Sequence, residues 1–118
     1  MGKTLAKEQL FHNIDSGTEE NVKYILLKYG ELVNEYFDSE NKSLPITRAA
    51  WLGNSKIVNM LILFGADVNK KVSNGYTAMF FAASKGHNKI IKKLLDTGVC
   101  VIDEVDNRGF TALDIAIN

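Results

Sequence analysis

At 118 residues, with 46% hydrophobic and 24% charged positions, the chain has the composition of an ordinary globular protein and room for one domain with a modest core. Fourteen basic residues balance fourteen acidic ones, which argues against bulk attraction to nucleic acid or to an anionic membrane surface. No run approaches a membrane span, the N-terminus lacks the apolar stretch of a signal peptide, and the single cysteine, Cys100, leaves no intramolecular disulfide; the chain reads as cytoplasmic, with the nucleus as the alternative.

The charge is banded. Residues 1–40 sum to −4, residues 41–93 to +8 and residues 94–118 to −4. The elements follow in chain order. Within residues 1–40, Leu10, Phe11 and Ile14 predict one apolar helix face, and Ser16-Gly17 a break. Val22, Ile25, Leu26 and Leu27 predict the buried stripe of a second helix. Gly30-Glu31-Leu32-Val33-Asn34 closes this stretch, and the polar residues Lys7, Glu8, His12, Asn13 and Asp15 suit a solvent-facing end.

Residues 41–73 repeat the plan. Pro45 stands in a first helical turn, where its missing N–H costs nothing. Ala49-Ala50 is a small pair, Gly53 a break, and Ile57, Val58, Leu61 and Ile62 a second stripe ending in Gly65-Ala66-Asp67-Val68-Asn69. In residues 74–107, Thr77 is placed to cap a helix from Ala78 to about Lys85. Gly86 breaks it, Asn88–Asp96 forms the next helix around Ile90, Ile91, Leu94 and Leu95, and Gly98 sits where a left-handed residue is needed. The stretch from Gly98 to Asp103 is one residue longer than its predecessor, so a bulge is expected there. Residues 108–118 begin the plan again. Arg108-Gly109-Phe110-Thr111-Ala112-Leu113-Asp114-Ile115-Ala116 answers Asn74-Gly75-Tyr76-Thr77-Ala78-Met79-Phe80-Phe81-Ala82 at an offset of 34 residues. A period near 33 implies a stack of like units rather than one globular core.

These strings carry a resemblance. Gly75-x-Thr77-Ala78-Met79-Phe80-x-Ala82-Ala83-x-x-Gly86-His87 and Gly65-Ala66-Asp67-Val68-Asn69 are similar to the repeat of the ankyrin family, with Ala and Phe in its usual Pro and His places. The resemblance implies an all-α solenoid of stacked helix–turn–helix units with β-hairpin-like finger loops. It implies one domain over 1–118, with a degenerate N-terminal cap (1–40), two further units (41–73, 74–107) and a half repeat (108–118). Leu44 and Thr47 fill the family's Thr and His places in the second unit, so its turn must be bonded differently. The half repeat lacks a second helix. Its open end is completed by the half unit itself, by self-association or by residues beyond this chain.

No catalytic constellation is visible. His12 and His87 lie in different units without metal-ligand spacing, His87 falls on the family's Gly-His turn, and Cys100 sits between valines without a nearby histidine. No cofactor and no enzymatic activity are expected. The resemblance implies a concave face of finger tips and inner helices on which another protein docks. Projected onto this chain, that face offers Ser43, Arg48, Trp51, Leu52, Asn74, Tyr76, Ser84, Lys85, Arg108 and Phe110. Trp51 and Leu52 stand where the family carries exposed polar residues, and an apolar pair there asks for a cover. The competing reading folds Trp51 against the first unit as a packing plug. The lysine-rich band reads as a solvated face, and nucleic acid and membrane are not expected partners. The expected function is a monomeric protein-binding module. The alternatives are a small stand-alone inhibitor, such as an immunity protein, an antitoxin or a viral or symbiont effector, and a fragment that assembles through its C-terminal end.

Overall fold

The computed structural model describes residues 2–40 and 42–117; the unit ends expected at Met1, Asn41 and Asn118 lie outside them. Among the described residues seven α-helices and no strand form. They are α1 (Lys3–Ser16), α2 (Glu19–Lys28), α3 (Pro45–Leu52), α4 (Ser55–Leu63), α5 (Ala78–Lys85), α6 (Asn88–Asp96) and α7 (Ala112–Ile117), with short 3-10 turns at Gly30–Asn34 and Ser73–Gly75.

The helix ends follow from local chemistry. Pro45 occupies the first position of α3. Behind it the Thr47 hydroxyl accepts the Leu44 N–H at 3.0 Å and donates to the Leu44 carbonyl, also at 3.0 Å. This is the altered turn that Leu44 and Thr47 predicted. Asn54 caps α4 by accepting the Ile57 N–H at 3.0 Å. Thr77 is in cap position but makes no side-chain cap bond to α5. A reciprocal cap appears at α7 instead, where Asp114 accepts the Thr111 N–H at 2.9 Å and the Thr111 hydroxyl accepts the Asp114 N–H at 3.2 Å. Gly53 ends α3 in the left-handed region at φ +83, and a side chain there would collide with the His87 ring, the nearest atom lying 2.7 Å from an added Cβ.

The helices pack in two rows. The inner row runs α1, α3, α5, α7 and the outer row α2, α4, α6, giving an elongated body of 43 × 28 × 23 Å. Ala49, Ala50, Ala78 and Ala82 are fully buried between inner helices; only residues this small let the axes come so close. The outer row is held by Val22, Ile57 and Ile90, and by Leu26, Leu61 and Leu94, each almost entirely removed from water. Burial of this kind stabilises by about 1.5–3 kcal/mol per large aliphatic side chain.

Two stripe residues are corrected. Leu27 is 67% exposed and Leu95 is 47% exposed. Leu26 and Leu94 occupy the inward position of the seam, and Leu27 and Leu95, one residue further round their helices, turn outward. Ile91, the counterpart of the fully buried Val58, is only half-buried, because no outer helix follows α6 among the described residues.

Each finger closes with one backbone bond. Phe37 N–H donates to Ser43 O (2.9 Å), Val72 N–H to Tyr76 O (2.8 Å) and Asp106 N–H to Phe110 O (2.8 Å). The last makes an isolated antiparallel bridge of Val105 and Thr111. Successive units are joined by asparagines. Asn34 donates to Gly65 O at 3.0 Å and accepts the Asp67 N–H at 2.7 Å. Asn69 repeats this with Val99 O at 2.8 Å and the Val101 N–H at 2.8 Å. The extra residue of the third unit is absorbed in a bend at Ile102-Asp103, which leaves Ile102 60% exposed.

Candidate functional site

Between α3, α5 and the fingers that precede them lies a groove of about 660 Å³. Asp15 of α1, the finger residues Glu40, Lys42 and Ser43, and Thr47, Arg48, Trp51 and Leu52 of α3 form one side. Val72, Ser73, Asn74 and Tyr76 of the next finger and Phe81 of α5 form the other. Helical spacing explains the α3 wall. Arg48, Trp51 and Leu52 are three and four residues apart and share one face, while Ala49 and Ala50 turn inward.

Six of the ten residues expected on this surface therefore meet: Ser43, Arg48, Trp51, Leu52, Asn74 and Tyr76. Trp51 is 47% and Leu52 40% exposed. One face of the Trp51 ring is covered by Lys85 of α5, whose Nζ lies 4.5 Å from the ring centroid. Trp51 is thus an element of the open wall, not a plug against the first unit. Ser84 is exposed on α5 beside Lys85 and has no side-chain partner among the described residues.

Arg108 and Phe110 stand outside the groove wall but are linked to it. The Arg108 guanidinium lies 4.9 Å from the Phe110 centroid and donates to the Tyr76 hydroxyl at 3.3 Å. It also donates twice to Asp106, at 3.1 and 3.3 Å. The Asp106 side chain is 1% exposed and accepts the N–H groups of Arg108 and Phe110, both at 2.9 Å. Burial pushes its carboxyl up, but the Phe110 N–H and the N–H and guanidinium of Arg108 more than offset this and hold it below the ordinary aspartate value. Tyr76 is fixed from behind by Phe80 and Phe81, at ring distances of 5.5 and 5.7 Å.

Arg48 makes a bidentate pair with Asp15, at 2.7 and 2.9 Å. The pair ties the N-terminal helices to the second unit and neutralises both charges at that end of the groove. Neighbouring fingers are joined by the Asn107 N–H, which donates to Asn74 O at 2.9 Å. Asn74 itself is left-handed, at φ +65, and a Cβ on the adjacent Gly75 would stand 2.9 Å from Asn107 Oδ1.

Glu40 and Asp106 were not singled out from the sequence, and Asp15 was read only as part of a solvent-facing end. Asp15 had a signal, since it stands opposite in charge to Arg48 at an offset of 33 residues. Asp106 had one too, in the Asp-x-x-Gly turn of Asp106 to Gly109. His87 donates from Nε2 to Trp51 O at 3.3 Å. Cys100 is half-buried and its thiol is pushed up by that burial, away from the reactive thiolate. No group of His, Cys, Asp or Glu among the described residues has metal-site geometry, and no helix there is long and apolar enough to cross a membrane.

The family model described as ankyrin repeats in three copies matches residues 46–118. Among curated proteins, the chain is 36% identical over 70 residues, 59% of its length, to the ARF GTPase-activating protein Git of Drosophila melanogaster. It is 34% identical over 76 residues, 64% of its length, to the probable 26S proteasome regulatory subunit p28 of Saccharomyces cerevisiae. It is 31% identical over 112 residues, 94% of its length, to the ankyrin repeat and SAM domain-containing protein 6 of Rattus norvegicus. The matched regions make up 10%, 33% and 12% of those relatives.

Proposed function

This chain belongs to the ankyrin repeat family, and on that premise we propose that it is a non-enzymatic cytoplasmic module that binds another protein in the groove between α3 and α5. Ankyrin repeats are in general protein–protein interaction modules, and the family is typically non-enzymatic. We propose residues 1–118 as one domain, divided into a cap (1–40), two units (41–73 and 74–107) and a half repeat (108–118). The observation that carries the groove assignment is the adjacent exposure of Trp51 and Leu52 on its wall. An aromatic anchor beside an aliphatic side chain, in a groove already stiffened by inter-unit bonds, loses little ordering entropy on docking.

Affinity capture from a native lysate tests this with two variants. Trp51→Ala is expected to lose the captured protein, since truncating an anchor costs about 2 kcal/mol or more. Leu63→Ala removes an apolar side chain that is 77% exposed on the outer helix α4 and is expected to leave capture intact. The reverse pattern, with both variants folded, would place the site on the outer row.

A further inference from the structure

We propose that the C-terminal end of the stack is a docking surface separate from the groove, which receives one amphipathic helix of a partner protein in the outer place beside α7. The two rows do not match at this end. α1, α3 and α5 each carry an outer helix, α2, α4 and α6, whereas α7 carries none among the described residues. The earlier units show what that leaves bare. Ile46 in α3 and Met79 in α5 are buried, and their counterpart in α7, Leu113, is 68% exposed. Val33 and Val68, near the ends of the first two units, are buried, and their counterpart Ile102 is exposed. Val58 on α4, with α6 beside it, is fully buried, but Ile91 on α6 is only half-buried, and Leu95, one turn further along, is exposed. Four places thus keep the apolar character of their counterparts without the cover, and apolar residues exposed together mark an interaction surface.

The stack also fixes the form of the occupant. α6 lies against α4 and α5, and the same path carried one unit further lays a helix against α6 and α7. The helices that fill this place in the preceding units have nine or ten residues. α4 and α6 each bury an aliphatic pair four residues apart, Ile57 with Leu61 and Ile90 with Leu94, which is the stripe the occupant must bring. A second copy of this chain does not supply it. Its outer helices α2, α4 and α6 already lie on α1, α3 and α5, and α7, at six residues, is too short for the place. The seat also stands without its occupant, since α7 is capped through Thr111 and Asp114 and packs on α5 as α5 packs on α3. A preformed seat loses little ordering entropy when a separate helix docks.

The probe is a fluorescein-labelled peptide of residues 87–97, a copy of α6, closed by a lactam between Lys92 and Asp96, whose side chains pair at 3.1 Å on the exposed side of that helix. The bridge holds it helical, which so short a peptide in water is not. Its anisotropy is expected to rise saturably as the full chain is added. A control peptide with the same lactam and Ile90→Ser and Leu94→Ser is expected to bind at least about tenfold more weakly, because both aliphatic side chains of the stripe are gone. Leu113→Ser and Leu95→Ser in the protein, both at exposed positions and checked for unchanged helicity, should each weaken the α6 copy by about fivefold or more. Leu63→Ala, exposed on α4, should leave it unchanged. No saturable binding, equal binding of the serine peptide, or binding indifferent to both Leu113→Ser and Leu95→Ser would overturn the proposal. Binding kept in Leu113→Ser and lost in Trp51→Ala would overturn it by seating the helix in the groove. Light scattering that grows with the concentration of the unsubstituted chain and falls back in Leu113→Ser would overturn it by giving this end to a second copy.

Discussion

Substituting Gly53 by alanine measures how tightly one unit is latched to the next. Gly53 ends α3 at φ +83, and a Cβ in that region costs about 1 kcal/mol. The same Cβ would stand 2.7 Å from Cε1 and 2.9 Å from Nε2 of His87. The ring must swing away, and its 3.3 Å bond to Trp51 O is lost, for about 1 kcal/mol more. The total is near 2 kcal/mol. Gly86 ends α5 in the same way, at φ +71, but nothing lies within 4 Å of an added Cβ there. Gly86→Ala is therefore expected to cost only the first 1 kcal/mol or so. For a domain of this size each kcal/mol lowers Tm by about 4 °C, so melts followed by far-UV circular dichroism should fall by about 8 °C for Gly53→Ala and about 4 °C for Gly86→Ala. In a His87→Ala background the Gly53 penalty should shrink to that of Gly86. Equal losses at the two glycines, or a Gly53 penalty indifferent to His87, would show that the latch has no energetic weight.

Three further outcomes are expected. Leu94→Ala, at a fully buried position, should lower stability by about 3 kcal/mol, whereas Leu95→Ala, 47% exposed, should change it by less than about 1 kcal/mol; urea titration of the pair checks the corrected seam. Asp106 is held below the ordinary aspartate value, so its contribution is present above the ordinary range and is lost as pH falls through the lowered value. The urea midpoints of the unsubstituted chain and Asp106→Asn should accordingly differ at neutral pH and converge below about pH 4. Cys100, half-buried and pushed toward the neutral thiol, should react with a disulfide dye at neutral pH more slowly than a short cysteine peptide, and equally fast once urea has unfolded the chain.

The helix pairs were legible because two signals coincide in every unit: apolar residues at helical spacing and a glycine after the first helix. The errors at Leu27 and Leu95 share one cause. Adjacent leucines both satisfy a search for apolar positions, and only the neighbouring helix decides which of them is covered. The α3 wall was legible because Trp51 and Leu52 break a repeated polar pattern. The opposite wall was half legible, since Asn74 and Tyr76 belong to a repeated turn while Val72 does not. Asp106 escaped because the corresponding place in the preceding finger is Val72, so repetition gave it no weight. Asp15 and Glu40 escaped because the N-terminal helices read as a mere end cap, whereas Asp15 grips Arg48 and both residues enter the groove.

The asparagine joints between units carry a rule of succession. Asn34 and Asn69 reach only the backbone of the unit that follows, through Gly65 and Asp67 in one case and Val99 and Val101 in the other. The amide's part is one-sided: the giver must keep its amide, with a donor and an acceptor on one short side chain, while the receiver meets it with backbone alone and adds, at the first joint, only Lys70, which donates to Asn34 O at 2.7 Å. Receivers are thereby free to differ, as the pairs Gly-x-Asp and Val-x-Val already do. Such a grammar lets units be duplicated or exchanged without rewriting both sides of each junction. It also marks where the series changes: the third unit places Asp103 after its extra residue, and a carboxylate can accept but cannot donate, so only half of the joint can be made there.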